Sequence, residues 1–561
     1  MIQTVLGQPA VFRITNDSDV LSEFSLRERR LLVGALNFHA LMAPGRDLIV
    51  HGYDGDWTTL PRTTDDATFD GMSRQFRRRV FTIGAASEIS PSSGEGAEAS
   101  AMARALAAGA VRHVHVSRDE VLDFDPPRDQ STSVVRRALR AVRARTPLLY
   151  DEARDVELLR HRRAITHPAQ RRRFAEEFSP GGIHEDGELV PATRPPAQAP
   201  RAIVIGMHWF ELGGAERWAF ETVKLVRDAG FLPIVLTNRD SHHPWIGRPE
   251  LDGALLIPFS EPTVRSQTPG VEELLSAILR TFDVRGIVVH HNQWLYDRLH
   301  WVAMSRPEIP IIDSTHIVEY RGGGFPHSSV RVEDVITRHH VISPTLRHWM
   351  VETQGVAAEK VVMAPLAGLT VQSVEPTFRS RGESEPFTVA FVGRMARQKA
   401  PEVFLAMAHR LRSDQAPLRF IMHGDGELSS WADDLIAAYS LQGIVERRDS
   451  DVPVEHTLAE AHVLVVTSHN EGLTLTTLEA ISHGVPVIST DVGAQSDIIP
   501  SRALVSRNVH LAVRQAARKV AWLAGDESAR EELWRDERHA EQKLLSATPA
   551  SEWFTQEVGS W

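Results

Sequence analysis

Glu471 and Glu479 bracket the segment EGLTLTTLE, in which two carboxylates lie eight residues apart after the apolar run HVLVVTS. A buried strand that passes through a tight glycine turn into a helix leaves free backbone N–H groups that can hold a phosphate. A helix N-terminus carries about half a positive charge, so Gly472, Leu473 and Thr474 are candidates to contact a phosphate. Glu471 would then accept hydrogen bonds from sugar hydroxyls, and Glu479 would grip ribose hydroxyls. Taken alone, the segment fits a surface helix with acidic residues equally well.

A second candidate phosphate site lies upstream, at the end of the strand-like run FTVAFVG. The run ends in Gly393, and Arg394 and Lys399 follow it. Glycine at a strand end lets a ligand approach the backbone, and two cations can hold a diphosphate. The next apolar run ends in Gly424, within HGDGE, which is either a turn with positive φ or a ligand contact. An ordinary polar loop would have the same pattern, so both interpretations stay open.

Alternating strands and helices must position these side chains. Apolar β-rich runs separated by amphipathic stretches occur after residue 200, at 202–207, 232–237, 286–291, 309–314, 339–343, 387–393, 418–424, 462–468 and 485–490. Apolar strands that alternate with helices favour parallel sheets covered on both faces. We therefore predict an α/β fold with two consecutive doubly wound, Rossmann-like domains that face each other across a cleft.

Composition shifts mark the predicted boundaries. Residues 179–200 hold five Pro and three Gly with few large apolar groups, which predicts a linker. Trp553 and Trp561 are expected to pack a helical tail back on the body of the protein. The predicted divisions are an N-terminal accessory α/β domain of unknown role, the linker, two Rossmann-like domains and the tail: 1–178, 179–200, 201–375, 376–530 and 531–561.

Composition also limits the class of protein. The 561 residues are too many for one core and predict roughly three domains. A formal charge of −11 argues against general nucleic-acid binding, and the lack of cysteine excludes disulfides and thiolate metal sites. No secretory signal or membrane-spanning stretch is visible, which predicts a cytoplasmic protein. The Arg-rich stretch 134–173 is either a solvated helix face or a surface for anionic lipid or a partner.

Five segments, taken in order, resemble the signature series of retaining glycosyltransferases of family 4, which have the GT-B fold: GGAE, GRMARQK, HGDGE, EGLTLTTLE and HGVPVISTDVGAQSDII. The resemblance covers about residues 200–530. Its specificity comes from the two spaced glutamates combined with the upstream Gly-Arg-x4-Lys spacing. It implies that 201–375 is the acceptor domain and 376–530 the nucleotide-sugar donor domain, and it says nothing about 1–178.

The resemblance implies a role for each candidate residue. Arg394 and Lys399 would bind the donor diphosphate, Glu471 would contact the transferred sugar, and His316 would lie near the reacting sugar. These four residues form the implied catalytic set. The implied donor-binding set contains glycine turns, cations, the segment before the helix and the ribose carboxylate: Gly213, Gly214, Gly393, Arg394, Lys399, Gly424, Gly472, Leu473, Thr474 and Glu479. Two further histidines end a strand on the expected cleft side, His290 and His291.

Two departures from the family pattern and one rival motif bear on this interpretation. Ala400 stands where family members commonly have Gly, a change we expect to be tolerated, and Asp497 stands where Glu is more frequent. Asp449 and Asp451 have the form of the metal-binding Asp-x-Asp of the other major glycosyltransferase fold, but such pairs are common. In GT-B enzymes the cations and the helix N-terminus supply the positive charge. We therefore expect no metal and no cofactor besides the donor substrate.

The combined prediction is a hexosyltransferase-type enzyme that moves a sugar, with retention, from a nucleoside diphosphate sugar to a hydroxyl acceptor. Glycan, glycolipid or cell-envelope polysaccharide synthesis is the expected setting, with a glycan, lipid-linked or small-molecule acceptor and no nucleic-acid partner. Peripheral contact with the inner face of the membrane through 134–173 stays open. Two rivals remain: another GT-B enzyme such as a nucleotide-sugar epimerase, and a non-catalytic scaffold that binds nucleotide sugars.

Overall fold

The computed structural model describes residues 2–16, 19–54, 78–90, 111–115, 167–173, 192–211, 213–239, 241, 243–259, 272–319, 323–367, 376–412 and 418–561, with positions 134, 138, 142, 146, 148 and 149. Three segments lie outside the described residues: the Ala-rich segment 97–110, whose composition predicts a helix, residues 179–191 of the predicted linker, and most of the Arg-rich stretch 134–173. Within the described part, no helix has both the length and the apolar character needed to cross a bilayer.

The described N-terminal residues form two small sheets and one long helix. Strands β1 (Gln3–Val5) and β2 (Gln8–Ala10) pair antiparallel. Helix α1 (Leu26–Met42) begins at a capping box in which Ser25 and Glu28 bond each other's backbone N–H groups. A four-stranded mixed sheet has the order β3-β5-β4-β6, with β3 at Phe12–Asn16, β4 at Asp47–Asp54, β5 at Arg78–Ser87 and β6 at Val111–His115.

The first large sheet is entirely parallel, with the order β13-β12-β11-β10-β7-β8-β9. Its strands are β7 (Arg201–Met207), β8 (Leu232–Thr237), β9 (Leu255–Pro258), β10 (Asp283–His290), β11 (Ile311–Thr315), β12 (Arg338–Val341) and β13 (Val361–Met363). The helices that cover it are α2 (Gly214–Asp228), α3 (Glu272–Thr281), α4 (Gln293–Tyr296), α5 (Leu299–Ser305), α6 (Gly324–Arg331) and α7 (Pro344–His348), which continues as a π-helical turn at Trp349–Thr353. The strand order reverses between β7 and β10, where the carboxyl ends of the strands open a crevice.

Helix α1 ties the N-terminal region to this sheet. The buried Arg30 guanidinium donates to Ile246 O (2.6 Å) and Arg248 O (2.8 Å), and Asn37 Nδ2 donates to Leu256 O (3.2 Å). Leaving such buried donors unpaired would cost about 1–3 kcal/mol each, so these bonds fix the helix against β9 and the loop before it. The described N-terminal residues and the first large sheet therefore share one hydrophobic core.

The second large sheet is also parallel, with the order β16-β15-β14-β17-β18-β19. Its strands are β14 (Phe387–Val392), β15 (Leu418–His423), β16 (Val445–Arg448), β17 (Val463–Val466), β18 (Val487–Thr490) and β19 (Leu504–Val505). The connecting helices are α8 (Pro401–Leu411), α9 (Ser429–Ala438), α10 (Val454–Glu460) and α11 (Leu475–Ser482). The order reverses between β14 and β17, the two strands that precede the predicted phosphate site and the Glu471 loop. Two Rossmann-like parallel sheets confirm the predicted fold class.

Three helices complete the chain: α12 (Val509–Gly525), α13 (Glu527–Leu545) and α14 (Ala550–Gly559). The last helix returns to the first large sheet. Trp553 stacks on His340 with ring centroids 5.1 Å apart, and Phe554 meets Trp218 edge to face. The Trp561 carbonyl accepts hydrogen bonds from the Arg201 and Arg285 guanidiniums. The tail thus packs back on the body, as its tryptophans predicted. Short 3-10 helices occupy Asp19–Glu23, Pro249–Leu251, Ala358–Lys360, Arg397–Lys399 and Gln495–Asp497.

Candidate functional site

The loops after β14 and β15 approach each other through glycine. Gly424 has φ +123°, and a Cβ placed on it would lie 2.3 Å from Gly393 O. The two loops are also joined by the hydrogen bond from Met395 N to Asp425 O, 2.8 Å long. A side chain at Gly424 would therefore force the loop that carries Arg394 away from its position. Arg394 itself is half-buried and makes no ion pair with any described residue.

Lys399 and Glu471 form an ion pair at the centre of the second sheet's carboxyl edge. Lys399 Nζ donates to Glu471 Oε1, and the Ser468 hydroxyl donates to the same oxygen at 2.6 Å. Glu471 is buried, so the two donors hold its carboxylate in one orientation. The sequence predicted that both residues lie in the cleft, and the structure brings them together across the β14–β17 crevice.

Ala400 holds a strained backbone directly after Lys399. Its φ of +49° lies in the left-handed region. This conformation is destabilised by about 1–2 kcal/mol for most L-residues, whereas glycine adopts it without strain. The Thr467 hydroxyl bonds both Lys399 O and Ala400 O at 3.0 Å and holds this turn. The family's usual glycine would adopt this conformation freely, so the departure at Ala400 is accommodated at the expense of backbone strain.

The segment before α11 is pressed against the first domain. A Cβ on Gly472 would lie 2.1 Å from His316 O, and a Cβ on Gly214 would lie 3.1 Å from Leu475 Cδ1. Leu473 is buried, and Thr474, which accepts a hydrogen bond from Gln495 Nε2 (3.0 Å), is the N-cap. The helix therefore begins at Leu475, so the predicted phosphate-binding residues 472–474 form its preceding loop rather than its first turn.

Glu479 bonds a residue that the sequence interpretation did not single out. Its carboxylate is buried and accepts a hydrogen bond from Arg217 Nη1 of α2 at 3.3 Å, across the cleft. Burial raises the pKa of Glu479 above its usual 4.5, while Arg217 acts in the opposite direction. Arg217 directly follows the GGAE motif, and that position next to the glycine loop was the signal available in the sequence.

Gly213 and Gly214 lead into α2 beside a buried carboxylate. Gly213 is the N-cap of this helix, and a Cβ there would lie 1.9 Å from Glu216 Oε2. Glu216 Oε1 meets His208 Nε2 at 3.1 Å and accepts from Trp209 Nε1 at 3.0 Å. Burial alone would raise the pKa of Glu216, but the hydrogen bond and charge of His208 outweigh it and lower the pKa to about 2. His208 and Glu216 are thus polar residues at the carboxyl edge for which no role was predicted.

The histidines after β10 and β11 occupy different surroundings. His316 is buried, and burial, with the neighbouring His291, holds its pKa well below the usual 6.5, so the ring is neutral. His291 has φ +53° and stacks on Phe325 with centroids 4.9 Å apart, and burial lowers its pKa to about 4. His290 instead bonds the Thr222 hydroxyl of α2 at 3.0 Å. His291 and His316 therefore lie together, with ring centroids 5.1 Å apart, whereas His290 is tied to the covering helix.

Two other singled-out residues make structural contacts. Asp497 accepts hydrogen bonds from Thr345 N (3.0 Å) and Thr345 Oγ1 (2.7 Å) of α7, so its shorter side chain links the two domains. In the Asp-x-Asp segment, Ser450 donates through its N–H (2.6 Å) and hydroxyl (2.7 Å) to Asp425 Oδ2. Among the described residues, no group of three or more histidine or acidic side chains could hold a metal ion.

Residues 374–539 match the family model described as glycosyl transferases group 1. This part of the chain belongs to that family. The D-inositol 3-phosphate glycosyltransferase of Streptosporangium roseum is 28% identical over 255 residues, which cover 39% of this chain and 58% of that protein. Its counterpart in Thermobispora bispora is 26% identical over 326 residues, 50% of this chain and 75% of that protein. The chain thus spans only part of the curated relatives' length.

Among solved structures, the pneumococcal O-GlcNAc transferase in complex with UDP and GlcNAc superimposes with a TM-score of 0.48 and 11% identity, over 64% of this chain and 99% of that one. The group 1 domain contains β14 to β19 and therefore all of the donor-side candidates except Gly213 and Gly214. The first large sheet and its helices lie outside the matched residues. They carry His316, directly after β11, and Arg217, on α2.

Proposed function

We propose that this protein transfers a sugar, with retention, from a nucleoside diphosphate sugar to a hydroxyl acceptor. One observation carries the proposal: Lys399 pairs with Glu471, and Gly472, the residue after Glu471, packs closely against the backbone of His316 in the other domain. A diphosphate, a sugar and a neutral hydrogen-bonding ring are thereby brought to one crevice. The membership of residues 374–539 in the glycosyltransferase family supports the same reaction.

The leaving diphosphate is the main charge that must be stabilised. Arg394 has no carboxylate partner among the described residues and is free to bind it, and Lys399 can share its charge between Glu471 and a phosphate. Backbone N–H groups of the loop 472–474 and the positive end of α11 add to the same site. Gly393 keeps the end of β14 clear of a side chain, which lets the phosphates approach the backbone, and Gly424 lets the neighbouring loop pack against Gly393.

The remaining residues bind the two sugars of the donor. Glu471 accepts hydrogen bonds from the transferred sugar, and Glu479 accepts from the ribose hydroxyls, with Arg217 as its partner before the donor arrives. His316 is neutral and can accept or donate one hydrogen bond beside the reacting carbon. Gly213 and Gly214, at the start of α2, would contact the donor phosphates through their backbone N–H groups.

The proposed bond changes account for retention. The acceptor oxygen attacks the anomeric carbon on the face that the diphosphate leaves, so the configuration is retained. The new C–O bond forms as the C–O bond to phosphate breaks, and the acceptor's proton passes to a phosphate oxygen. Contact between the two domains excludes water, which limits hydrolysis of the donor. The acceptor is a glycan, a lipid-linked molecule or a small molecule, and peripheral contact with a membrane would fit the second of these.

Removing either member of the central pair tests the proposal. Lys399→Ala and Glu471→Gln should each lower sugar transfer by at least about a hundredfold, because each removes a charge placed at the reacting centre. The donor is first chosen by thermal shift among UDP-, GDP- and ADP-sugars, since binding stabilises the fold. Release of the nucleoside diphosphate is then measured with and without acceptor pools.

Lys224→Ala is the matched control, since Lys224 is a half-exposed lysine on α2 whose ion-pair partner among the described residues is Glu221. It should leave transfer unchanged. Near-normal transfer in both Lys399→Ala and Glu471→Gln would refute the assignment. Diphosphate release that does not depend on any acceptor would instead favour epimerase or hydrolase chemistry, and a lack of binding by every nucleotide sugar would favour a scaffold role.

A further inference from the structure

Ser314 lies two residues before His316 at the end of β11 and is the meeting point of three buried ring systems. Trp218 Nε1 donates to Ser314 Oγ at 3.1 Å. His340 Nδ1 lies 2.8 Å from the same oxygen, and His316 Nε2 lies 3.2 Å from it. All four side chains are buried, so their hydrogen bonds are not exchanged with bulk water.

One carbonyl fixes the direction of every bond in this cluster. His340 Nε2 lies 2.9 Å from Ala364 O, and a carbonyl can only accept, so Nε2 carries the proton. Burial lowers the pKa of His340 to about 4, so the ring is neutral and its Nδ1 is an acceptor. The Ser314 hydroxyl must then donate to His340 Nδ1. Its oxygen keeps two lone pairs, one for Trp218 and one for His316, which therefore donates from Nε2.

We propose that His340 is a positioning residue that acts through Ser314 to fix His316 as the Nε2–H tautomer, leaving His316 Nδ1 as a hydrogen-bond acceptor for a substrate hydroxyl. The proposal rests on the proposed function only for the identity of that hydroxyl. No described residue makes a hydrogen bond to His316 Nδ1. This atom is also not one of the fully buried side-chain atoms without a hydrogen-bond partner, so it keeps some exposure. The tautomer matters because the other form would present an N–H at this position, which could donate to a hydroxyl oxygen but could not accept a hydrogen bond from the hydroxyl.

The C-terminal helix supports this cluster from behind. Trp553 of α14 stacks on His340 at an interplanar angle of 19°, and Phe554 packs edge to face on Trp218 at 5.9 Å. His340 and Trp218, the other two rings bonded to Ser314, are thus held by two consecutive residues of α14. A role in packing alone would need the shape of the His340 ring, whereas the proposed role needs the acceptor at its Nδ1 position.

Two substitutions at position 340 separate these roles. His340→Phe keeps a ring on Trp553 but has no acceptor for Ser314, whereas His340→Asn loses the ring but places an amide oxygen near the former Nδ1. Both lose the bond to Ala364 O, so they are matched in that respect. We expect kcat to fall about tenfold or more in His340→Phe and about threefold or less in His340→Asn, with the donor KM little changed in both. His409→Phe, on the outer face of α8, is the control and should leave kcat unchanged.

A second measurement does not depend on activity. In protein labelled with ¹⁵N-histidine, the His316 ring signals are identified by their loss in His316→Asn. Wild type and His340→Asn should show a protonated Nε2 and a bare Nδ1, whereas His340→Phe and Ser314→Ala should show a mixture of tautomers. Thermal melts identify any variant that does not fold. If His340→Phe does not fold, Ser314→Ala takes its place, because it removes only the hydroxyl oxygen that links His340 to His316.

The possible failures are distinguishable. Wild-type protein that binds no nucleotide sugar but shows the Nε2–H tautomer would refute the proposed function and leave the hydrogen-bond relay intact. A wild-type His316 with a protonated Nδ1, or a His340→Phe variant with higher kcat than His340→Asn, would overturn the proposal.

Discussion

At the scale of single residues, each proposed donor-binding carboxylate already holds a cation. Glu471 bonds Lys399, and Glu479 bonds Arg217 of the other domain. A buried carboxylate needs such a partner because desolvation of an unpaired charge is costly. The donor must therefore share or displace these cations as it enters, and the two pairs prepare the site for a ligand with hydroxyls at one position and phosphates nearby.

Acidification should weaken donor binding, and the weakening should begin at a higher pH than it would if Glu479 had the ordinary pKa of a glutamate. Burial raises the pKa of Glu479, with Glu455 acting in the same direction and Arg217 and His483 in the opposite one. As the pH falls through this raised pKa, the carboxylate takes up a proton and can no longer accept from both ribose hydroxyls. Calorimetric Kd values for the donor from about pH 7.5 to about pH 5 would measure this loss.

Glu479→Gln serves as the control for that titration. Its donor Kd should be weaker throughout and flat over the same pH range, because the amide does not titrate. Equal pH slopes in the wild type and this variant would show that another group is responsible. His483, whose Nδ1 lies 2.8 Å from the backbone oxygen of Glu479, would then be the next residue to replace.

At the scale of secondary-structure elements, the helices that follow the second sheet are fixed by buried polar contacts. Glu537 of α13 accepts hydrogen bonds from Val487 N at 2.9 and 3.2 Å, at the start of β18. Trp534 Nε1 of the same helix donates to Ile481 O at 2.8 Å, at the end of α11. The helix that carries Glu479 is thus held by α13, which lies outside the crevice.

Burial raises the pKa of Glu537 well above 4.5, against the opposing effect of Val487 N–H. At pH values between 4.5, the ordinary pKa of glutamate in the unfolded chain, and the raised pKa in the native state, Glu537 keeps its proton only when the protein is folded. The free energy of unfolding therefore falls as the pH rises through this window. In Glu537→Gln this decline should disappear. The difference in the free energy of unfolding between the variant and the wild type should therefore change by about 1.4 kcal/mol for each pH unit within the window. Urea denaturation at several pH values measures it.

Glu532→Gln is the matched variant on the same helix, since that carboxylate is largely exposed. Its unfolding free energy should follow the wild-type pH dependence. A wild-type curve without this decline, or the same decline in Glu537→Gln, would contradict the expectation.

At the scale of the whole molecule, the two Rossmann-like domains touch at the proposed reacting centre. Gly472 and Gly214 have no side chains at the points where the opposite domain is nearest. Thr345 and Asp497 add a hydrogen-bonded link between the same two bodies. The geometry of the crevice therefore depends on contacts that neither domain could make alone.

Gly472→Ala should separate the domains at this point. Its Cβ would meet His316 O at 2.1 Å, and that oxygen belongs to the backbone and cannot rotate away. We expect sugar transfer to fall by about a hundredfold or more, because a displacement of about 1 Å at a reacting centre has this effect. Turnover and the radius of gyration from small-angle X-ray scattering would measure the two consequences.

Gly525→Ala is the control for this substitution. Gly525 lies at the end of α12 with no atom within 4 Å of an added Cβ and without a positive φ. It should retain wild-type turnover and size. Full activity in Gly472→Ala would mean that the contact with His316 is not made in the reacting state.

Much of the architecture could be predicted from local pattern. The predicted runs 232–237 and 387–393 agree with β8 and β14 to within one residue, because long buried parallel strands have continuous apolar sequences. In the two large sheets the strands β9, β13, β16 and β19 were missed, and each of them has only two to four residues. β10 begins at Asp283 rather than 286, because a bulge between Val284 and Gly286 lets the pairing with β7 continue.

The sequence by itself determined the local elements and the order of the chemical motifs, in which Lys399, Glu471 and His316 each follow the carboxyl end of an apolar strand. Only the tertiary structure decided which of these residues meet. Arg217 and Glu479 are 262 positions apart in the chain, and Ser314 and Trp218 are 96 apart. Hydrogen bonds act over about 3 Å and depend on direction. Partners so distant in sequence are therefore set by how the sheets and helices pack, which no local pattern records.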